Sequence, residues 1–375
     1  MFLIVMLLCV YAIVDCDLRI KGDIKMSNWK KLSLFGATTL VLAACGNNAD
    51  EETETDANGT EDSDFSIAMV TDMGGVDDRS FNQSSWEGMQ EWAEENNYSE
   101  DTINYYQSDS ETDFMPNFNS AVADGFDIVF GVGFLLEDPV TQMAEQFPDQ
   151  YFSIVDAVID LPNVASLNFR DQENSFLAGM AAALTTETNR VGFIGGIEGP
   201  VIDRFQTGFT AGVAHIDESI EVDIKYANTF GDAGAGQQIA SAMYSTGADV
   251  IFHASGATGN GLFQEARNRM EAGSETDLWV IGVDRDQNDE GEYDGGNVTL
   301  ASTVKQVGNA VKNVSNDADA GNFPGGETVF YGFAEEGVDF VQHGAISDED
   351  WAQIEEARQQ IIDGEIEVPE FTYSN

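Results

Sequence analysis

From Phe65 onward, short apolar runs alternate with amphipathic stretches. Residues 66–70, 127–131, 151–155, 191–195, 249–253 and 279–283 each form a compact block rich in Val, Ile, Phe and Met between polar flanks. Runs of this kind suit strands buried on both faces in a parallel sheet. Between them apolar residues recur at helical spacing. Examples are Phe81, Ser85, Met89 and Trp92; Leu136, Val140, Met143 and Phe147; Phe176, Met180 and Leu184; and Phe205, Phe209, Gly212 and Ile216. Strand–helix alternation along the whole length predicts an α/β protein with parallel sheets. A last helix is expected from Ser347, with Asp350 at the capping-box position, Trp351, Ile354 and Ile361 on its apolar face and Gly364 at its end. About 310 residues are long for one doubly wound sheet, so two lobes are expected. The polar, extended segment 164–170 is the first candidate crossover between them.

Ahead of Phe65 the pattern is different. Lys30-Lys31, the apolar stretch 32–42 and the run Leu42-Ala43-Ala44-Cys45 follow one another in the order of a bacterial secretion signal. With a cysteine directly after the cut, this run resembles the lipobox of bacterial lipoproteins. That resemblance implies a diacylglycerol on the Cys45 thiol and durable attachment to the outer face of the cell membrane. Met26 is expected to be the true start, which makes residues 1–25 a mis-assigned extension and 26–44 the signal peptide. The apolar stretch 1–14 is shorter than the roughly 20 residues that a bilayer requires. Residues 45–64 then form the lipidated cysteine and an acidic, disordered tether, with nothing more apolar than alanine after Cys45.

No cysteine follows Cys45, so a disulfide framework is excluded. The charge balance is extreme, with 67 acidic against 16 basic residues and a net charge of −51. An aromatic content of 10% and an apolar content of 42% still place the chain among globular proteins. The acid is spread over the whole length instead of forming one patch. Such a surface resembles that of halophilic proteins, where salt screens the self-repulsion. Nucleic-acid binding is excluded, since it requires clustered Lys and Arg.

In open parallel sheets ligands bind beyond the carboxyl ends of the strands, so the residues that follow each strand carry the chemistry. Three strands end in an aspartate: Asp72, Asp156 and Asp284. Three others run into glycine-containing loops at Gly131-Val132-Gly133-Phe134, Gly195-Gly196 and His253-Ala254-Ser255-Gly256, where backbone can approach a ligand. Carboxylates converging on one cleft suit a neutral polyol, each accepting hydrogen bonds from vicinal hydroxyls. An aspartate after a strand also suits the cap of the next helix. Enzyme signatures fail: His215, His253 and His343 are widely spaced, and no zinc set, dinucleotide fingerprint, P-loop or nucleophile elbow is present. The acidic loop 284–290 lacks the glycine that a calcium loop needs at its sixth position. No cofactor and no metal are expected.

Asp72-Met73-Gly74-Gly75-Val76-Asp77-Asp78-Arg79-Ser80-Phe81-Asn82-Gln83 resembles the opening signature of the basic membrane protein (PnrA-like) family of ABC-transporter substrate-binding lipoproteins. Ser175-Phe176-Leu177-Ala178-Gly179, Val191-Gly192-Phe193-Ile194-Gly195-Gly196 and Ile281-Gly282-Val283-Asp284 extend the likeness in collinear order. The resemblance implies a type I periplasmic-binding-protein fold: two Rossmann-like parallel-sheet lobes joined by a three-segment hinge. Lobe 1 is expected over 65–168 plus 286–328, and lobe 2 over 169–285 plus 329–375. It further implies capture of a purine nucleoside (inosine, guanosine or adenosine) for an ABC permease and its ATPase subunits, and no enzymatic activity. Carried over by position, Phe81 stacks on the base, Asp72 accepts from base or sugar, Asp156 accepts from the ribose diol, Asp284 contacts the base and Lys305 adds a donor. Asn82 contacts the ligand or packs beside Phe81. Phe205 and Phe252 compete for the second aromatic wall, with Phe134 as a third candidate. His253 departs from the small or apolar residue expected after its strand. Another small polar ligand such as a sugar, and a nucleoside hydrolase, are the alternative functions.

The distributed acidity carries a direct consequence for stability. The melting temperature should climb as salt is raised from about 0.1 M to about 1 M, the range over which the self-repulsion is screened to within about 3 Å. A melting temperature indifferent to salt would contradict the halophilic reading.

Overall fold

The computed structural model describes residues 64–370. The expected extension (1–25), the signal peptide (26–44), Cys45 and the tether up to residue 63 lie outside the described residues. The chain first builds β1 (Ile67–Thr71), α1 (Phe81–Asn96), β2 (Ile103–Tyr106), α2 (Glu111–Asp124), β3 (Ile128–Val132), α3 (Glu137–Gln146), β4 (Tyr151–Val155) and β5 (Val164–Phe169). It crosses into a second lobe made of α4 (Asp171–Thr185), β6 (Arg190–Gly195), α5 (Pro200–Ile216), β7 (Glu221–Tyr226), α6 (Ala233–Ser245), β8 (Val250–Ala254), α7 (Gly259–Glu271) and β9 (Trp279–Asp284). A small antiparallel hairpin of β10 (Glu292–Tyr293) and β11 (Gly296–Asn297) leads into β12 (Thr299–Lys305). The chain then returns to the first lobe for α8 (Val307–Asp319), which packs on α1, and β13 (Thr328–Tyr331). It ends in the second lobe with β14 (Val338–Gln342) and α9 (Asp348–Ile362), the latter packed on α4.

Two six-stranded sheets result, in the orders β13-β5-β4-β3-β1-β2 and β14-β12-β9-β8-β6-β7. Every pairing in the first is parallel, and in the second only β14 runs antiparallel, against β12. Along β1 the side chains divide by the two-residue period of a strand. Ala68 and Val70 join the core under α2 and α3, whereas Ile67 and Met69 join a larger core that takes in the other face. This is the periplasmic-binding-protein architecture that the sequence predicts. The strand order reverses between β1 and β3 in one lobe and between β6 and β8 in the other. In such sheets the crevice at the reversal is where ligands sit.

Three expectations are corrected. One is the last crossover, which follows β13 after Tyr331 and not residue 328, because residues 328–331 pair with β5 in lobe 1. Residues 164–169 are the buried strand β5, so of the expected crossover segment 164–170 only Arg170 is left to cross. The polar members of β5 are satisfied internally: Ser166 accepts a hydrogen bond from the Ile159 N–H at 3.0 Å, and Asn168 donates to the Ala157 carbonyl at 2.8 Å. The second crossover falls after Lys305 and not near residue 285, because β12 pairs with β9 inside lobe 2. That strand has no apolar run to betray it. Ser302 accepts from the Gln287 N–H at 3.1 Å, and Thr303 donates to the Gly282 carbonyl at 3.0 Å. The crossing segments are tied side by side, Arg170 N–H donating to the Tyr331 carbonyl and Gln306 N–H to the Gly337 carbonyl, each at 2.9 Å.

The last helix begins as predicted, the Ser347 hydroxyl accepting from the Asp350 N–H. Helices α4 and α5 approach so closely that their backbones touch. A Cβ on Gly212 would overlap the Phe176 carbonyl, and one on Gly179 would overlap the Phe209 carbonyl. Gly212→Ala is therefore expected to lower the free energy of unfolding by about 2–3 kcal/mol in urea denaturation, the range of an overpacked core.

Candidate functional site

The carboxyl ends of both sheets face one cleft between the lobes. From lobe 1 it is lined by Asp72, Asp78, Phe81, Asn82, Phe134 and Asp156, and from lobe 2 by Phe205, Phe230, Ser255, Asp284 and Lys305, among others. Of the residues singled out in the sequence, Asp72, Phe81, Asn82, Asp156, Phe205, Asp284 and Lys305 therefore come together. Phe134, the weaker third aromatic candidate, joins them. Phe252 does not. It lies in mid-strand in β8, fully buried, with its ring 5.4 Å from Phe209 and 5.6 Å from Phe193. The cleft begins only past the end of that strand, at Ala254 to Gly256.

Each carboxylate has a distinct position. Asp72 follows β1 and folds back, its Oδ1 accepting from the Gly74 N–H at 2.9 Å and from Asn82 Nδ2 at 2.7 Å. Asp156 and Asp284 adopt left-handed backbone, φ 70° and 66°, at the ends of β4 and β9. Aspartate tolerates this conformation better than most residues. None of these three caps a helix. Asp78 does that, accepting from the N–H groups of Ser80 at 2.8 Å, Asn82 at 2.9 Å and Gln83 at 3.1 Å. Its oxygens are thereby engaged at the start of α1.

Burial governs the protonation of these acids. It pushes Asp72 up to about 6, against the hydrogen bonds from Asn82 and Gly74. Asp284 rises further, to about 7, again through burial and against the pull of Lys305 and the hydrogen bond from Ser80. Lys305, only 2% exposed, sits at the centre. Its Nζ donates to both oxygens of Asp156, at 2.8 and 2.6 Å, and lies 3.1 Å from Asp171 Oδ1. Burial alone would lower its pKa, but Asp156, Asp171 and Asp284 outweigh that and hold it above the ordinary lysine value. The rings of Phe169, Phe81 and Phe205 surround the ammonium at 4.9, 5.2 and 5.6 Å.

Phe81, at the first turn of α1, is half-buried and packed against the core while lining the cleft. Beside it, Asn82 has its amide nitrogen shared between Asp72 and Asp78, and its Oδ1 is buried without a hydrogen-bond partner among the described residues. Phe134 and Phe230 meet edge-on across the lobes at 6.1 Å. Sequence reasoning missed Phe230. It lies in the loop after the half-exposed edge strand β7, which has no continuous apolar run to announce a strand end. Among the described residues no cluster of His, Cys, Asp or Glu could hold a metal ion. Every lysine and arginine there except Arg267 lies within 4 Å of a carboxylate. Arg267 instead donates to the Glu290 carbonyl at 2.7 Å.

A profile described as "ABC transporter substrate-binding protein PnrA-like" matches residues 65–372. The chain belongs to this family. The CD4+ T-cell-stimulating antigen of Listeria innocua is 48% identical over 348 residues, covering 90% of this chain and 97% of that protein. The ABC transporter nucleoside-binding protein BmpA of Lactococcus lactis is 44% identical over 344 residues, covering 89% and 96%. Among solved structures, a solute-binding protein of an ABC transporter system from Aeropyrum pernix superposes with a TM-score of 0.73 at 26% identity, over 82% of this chain and 94% of that one. Membership makes the chain a substrate-binding protein of an ABC transporter and not an enzyme.

The protonation of the cleft carries a stability signature. Asp284 has a raised folded pKa, so the folded chain holds its proton where the unfolded chain has lost it. Its contribution is present below about 3.8 and is lost as pH rises through about 7. Asp284→Asn should leave stability at pH 4 little changed and raise it at pH 8, on the order of 2–3 kcal/mol, in denaturant titrations without ligand.

Proposed function

We propose that this protein captures purine nucleosides at the outer face of the cell membrane and delivers them to an ABC permease and its ATPase subunits. The observation that carries the reading is the half-buried ring of Phe81 in a cleft whose polar groups are almost all acceptors. Phe81 stacks on the base, and the other walls come from Phe205, Phe134 and Phe230. Asp72 and the unpartnered Asn82 Oδ1 receive N–H groups of the base edge, where discrimination between purines arises. Asp284 completes the contacts to the base. Asp156, held by Lys305, faces the ribose hydroxyls. The 44% identity to a protein named as a nucleoside-binding protein supports the same reading. Cys45 carries the diacylglycerol that tethers the chain. Among the described residues no helix is long and apolar enough to cross a membrane.

Charge argues against nucleotides. Four aspartates line the cleft, and its one cation, Lys305, is already flanked by Asp156 and Asp171. A phosphate entering there would find no unpaired positive charge and several negative ones. Stacking on an aromatic ring contributes about 1–3 kcal/mol and is independent of base identity.

Calorimetry of the protein with inosine, guanosine, adenosine and their monophosphates tests the reading. Nucleosides are expected to bind and monophosphates to fail. Phe81→Ala should weaken nucleoside binding by about 10- to 100-fold, the equivalent of the stacking contribution. A preference for the monophosphate, or affinity unchanged in Phe81→Ala, would overturn it. In the second case a free sugar becomes the better candidate ligand.

A further inference from the structure

Where the chain enters α1, lobe 1 touches lobe 2 through a contact that lies mostly outside the cleft lining. The centre of this contact is Gln287, which is 1% exposed in the turn after β9. Its Oε1 accepts from the Val283 N–H at 2.8 Å, and its Nε2 donates to the Arg79 carbonyl of lobe 1 at 3.0 Å. A backbone N–H can only donate and a carbonyl can only accept, so these two bonds fix the orientation of the amide. His253 Nε2, 3.1 Å from the same Oε1, must then carry the ring hydrogen. Its Nδ1 is left to accept from Ser255 Oγ at 3.3 Å. Burial pushes His253 down to about 4, so the ring is neutral at pH 7. The donors thus run in one direction from Ser255, on the cleft wall, through His253 and Gln287 to the carbonyl of the opposite lobe.

Further contacts bracket this bond. Arg79 holds left-handed backbone, φ 60°, an uncommon conformation for a residue other than glycine, and its guanidinium pairs with Glu290 of lobe 2. Asn260, in the first turn of α7, donates to the Asp78 carbonyl at 3.3 Å. Arg285 pairs with Glu87 of α1 at 2.9 Å. Gln287, Asn260, Arg79 and Glu290 are all absent from the cleft lining.

We propose that Gln287, seated by His253, is the latch of the closed state: a positioning residue that holds lobe 1 on lobe 2 and sets how fast the bound ligand leaves, without touching it. The assignment rests on the cleft being the nucleoside site. It also gives His253, the departure noted in the sequence, a role outside ligand contact. Because the lobes must part before a ligand can leave, loss of a closed-state bond acts on release and not on capture.

Two variants of the full chain test it. In Gln287→Glu at pH 8.5 the carboxylate keeps both accepting bonds and has no hydrogen for the Arg79 carbonyl. Asn260→Ala removes the neighbouring cross-lobe bond from a partly exposed site. Stopped-flow measurements with inosine should show dissociation about 3- to 10-fold faster in each variant, with association changed by less than about twofold. The ratio of inosine to adenosine affinity should not move. Dissociation rates within about twofold of the parent in both variants, or an altered ratio, would overturn the latch while leaving nucleoside capture intact. If the parent binds no nucleoside, the functional reading fails instead. X-ray scattering from the unliganded protein then decides the latch: a larger radius of gyration in the variants supports it, and equal radii reject it.

Discussion

The ammonium of Lys305 is the charge on which the cleft depends. Asp156 reaches it from lobe 1, whereas Asp171 and Lys305 itself belong to lobe 2, so a single buried cation joins the halves at the base of the crevice. Arg204 extends the group by pairing with Asp171 at 3.2 Å, which brings the four charges to neutrality. Removing one member of such a group leaves an uncompensated buried charge, a far larger penalty than the pair's own net value. The same ammonium lies beneath Phe81 and Phe205 and therefore fixes the aromatic walls as well as the acids. The contact between the lobes, the seating of two aromatic walls and the protonation of the cleft acids meet at one nitrogen atom.

The scarcity of cations elsewhere follows a consistent plan. Several arginines and lysines bridge elements: Arg79 and Arg285 across the lobes, Lys312 of α8 onto Glu91 and Glu95 of α1, and Arg358 of α9 onto Asp339 of β14. The rest of the surface is left to carboxylates. Exposed pairs of this kind contribute little individually and are screened by salt. In so acidic a molecule their main effect is to locate the few favourable charge contacts at joints between elements.

How much of this was legible in the sequence depended on how each strand is buried. Central strands β1, β3, β6, β8 and β9 are sealed on both faces, so their apolar runs announced them within about one residue. Edge strands β2, β7 and β13 are partly exposed, and β12 fills its interior with hydrogen-bonded Ser and Thr, so neither kind offers a run to read. The misplaced second crossover follows directly from the missing β12. Cleft-lining residues were legible where the rule of strand ends applies, as at Asp72, Asp156 and Asp284. Phe252 was misjudged because proximity in sequence to a strand end does not reveal which way a mid-strand ring points. Phe230 and Gln287 sit in loops whose positions are set by the three-dimensional closure of the lobes, and no local pattern marks them.

The interleaved course of the chain bears on how the protein must be assembled as it is made. β5 forms its outer ladder with β13, yet the central strands of lobe 2 and β12 are all synthesised between the two. Until β13 emerges, the earlier sheet presents an open backbone edge with Val164, Leu167 and Phe169 beside it, a surface prone to wrong pairing. That edge is closed only once the last eighth of the polypeptide, from Thr328 on, has been made.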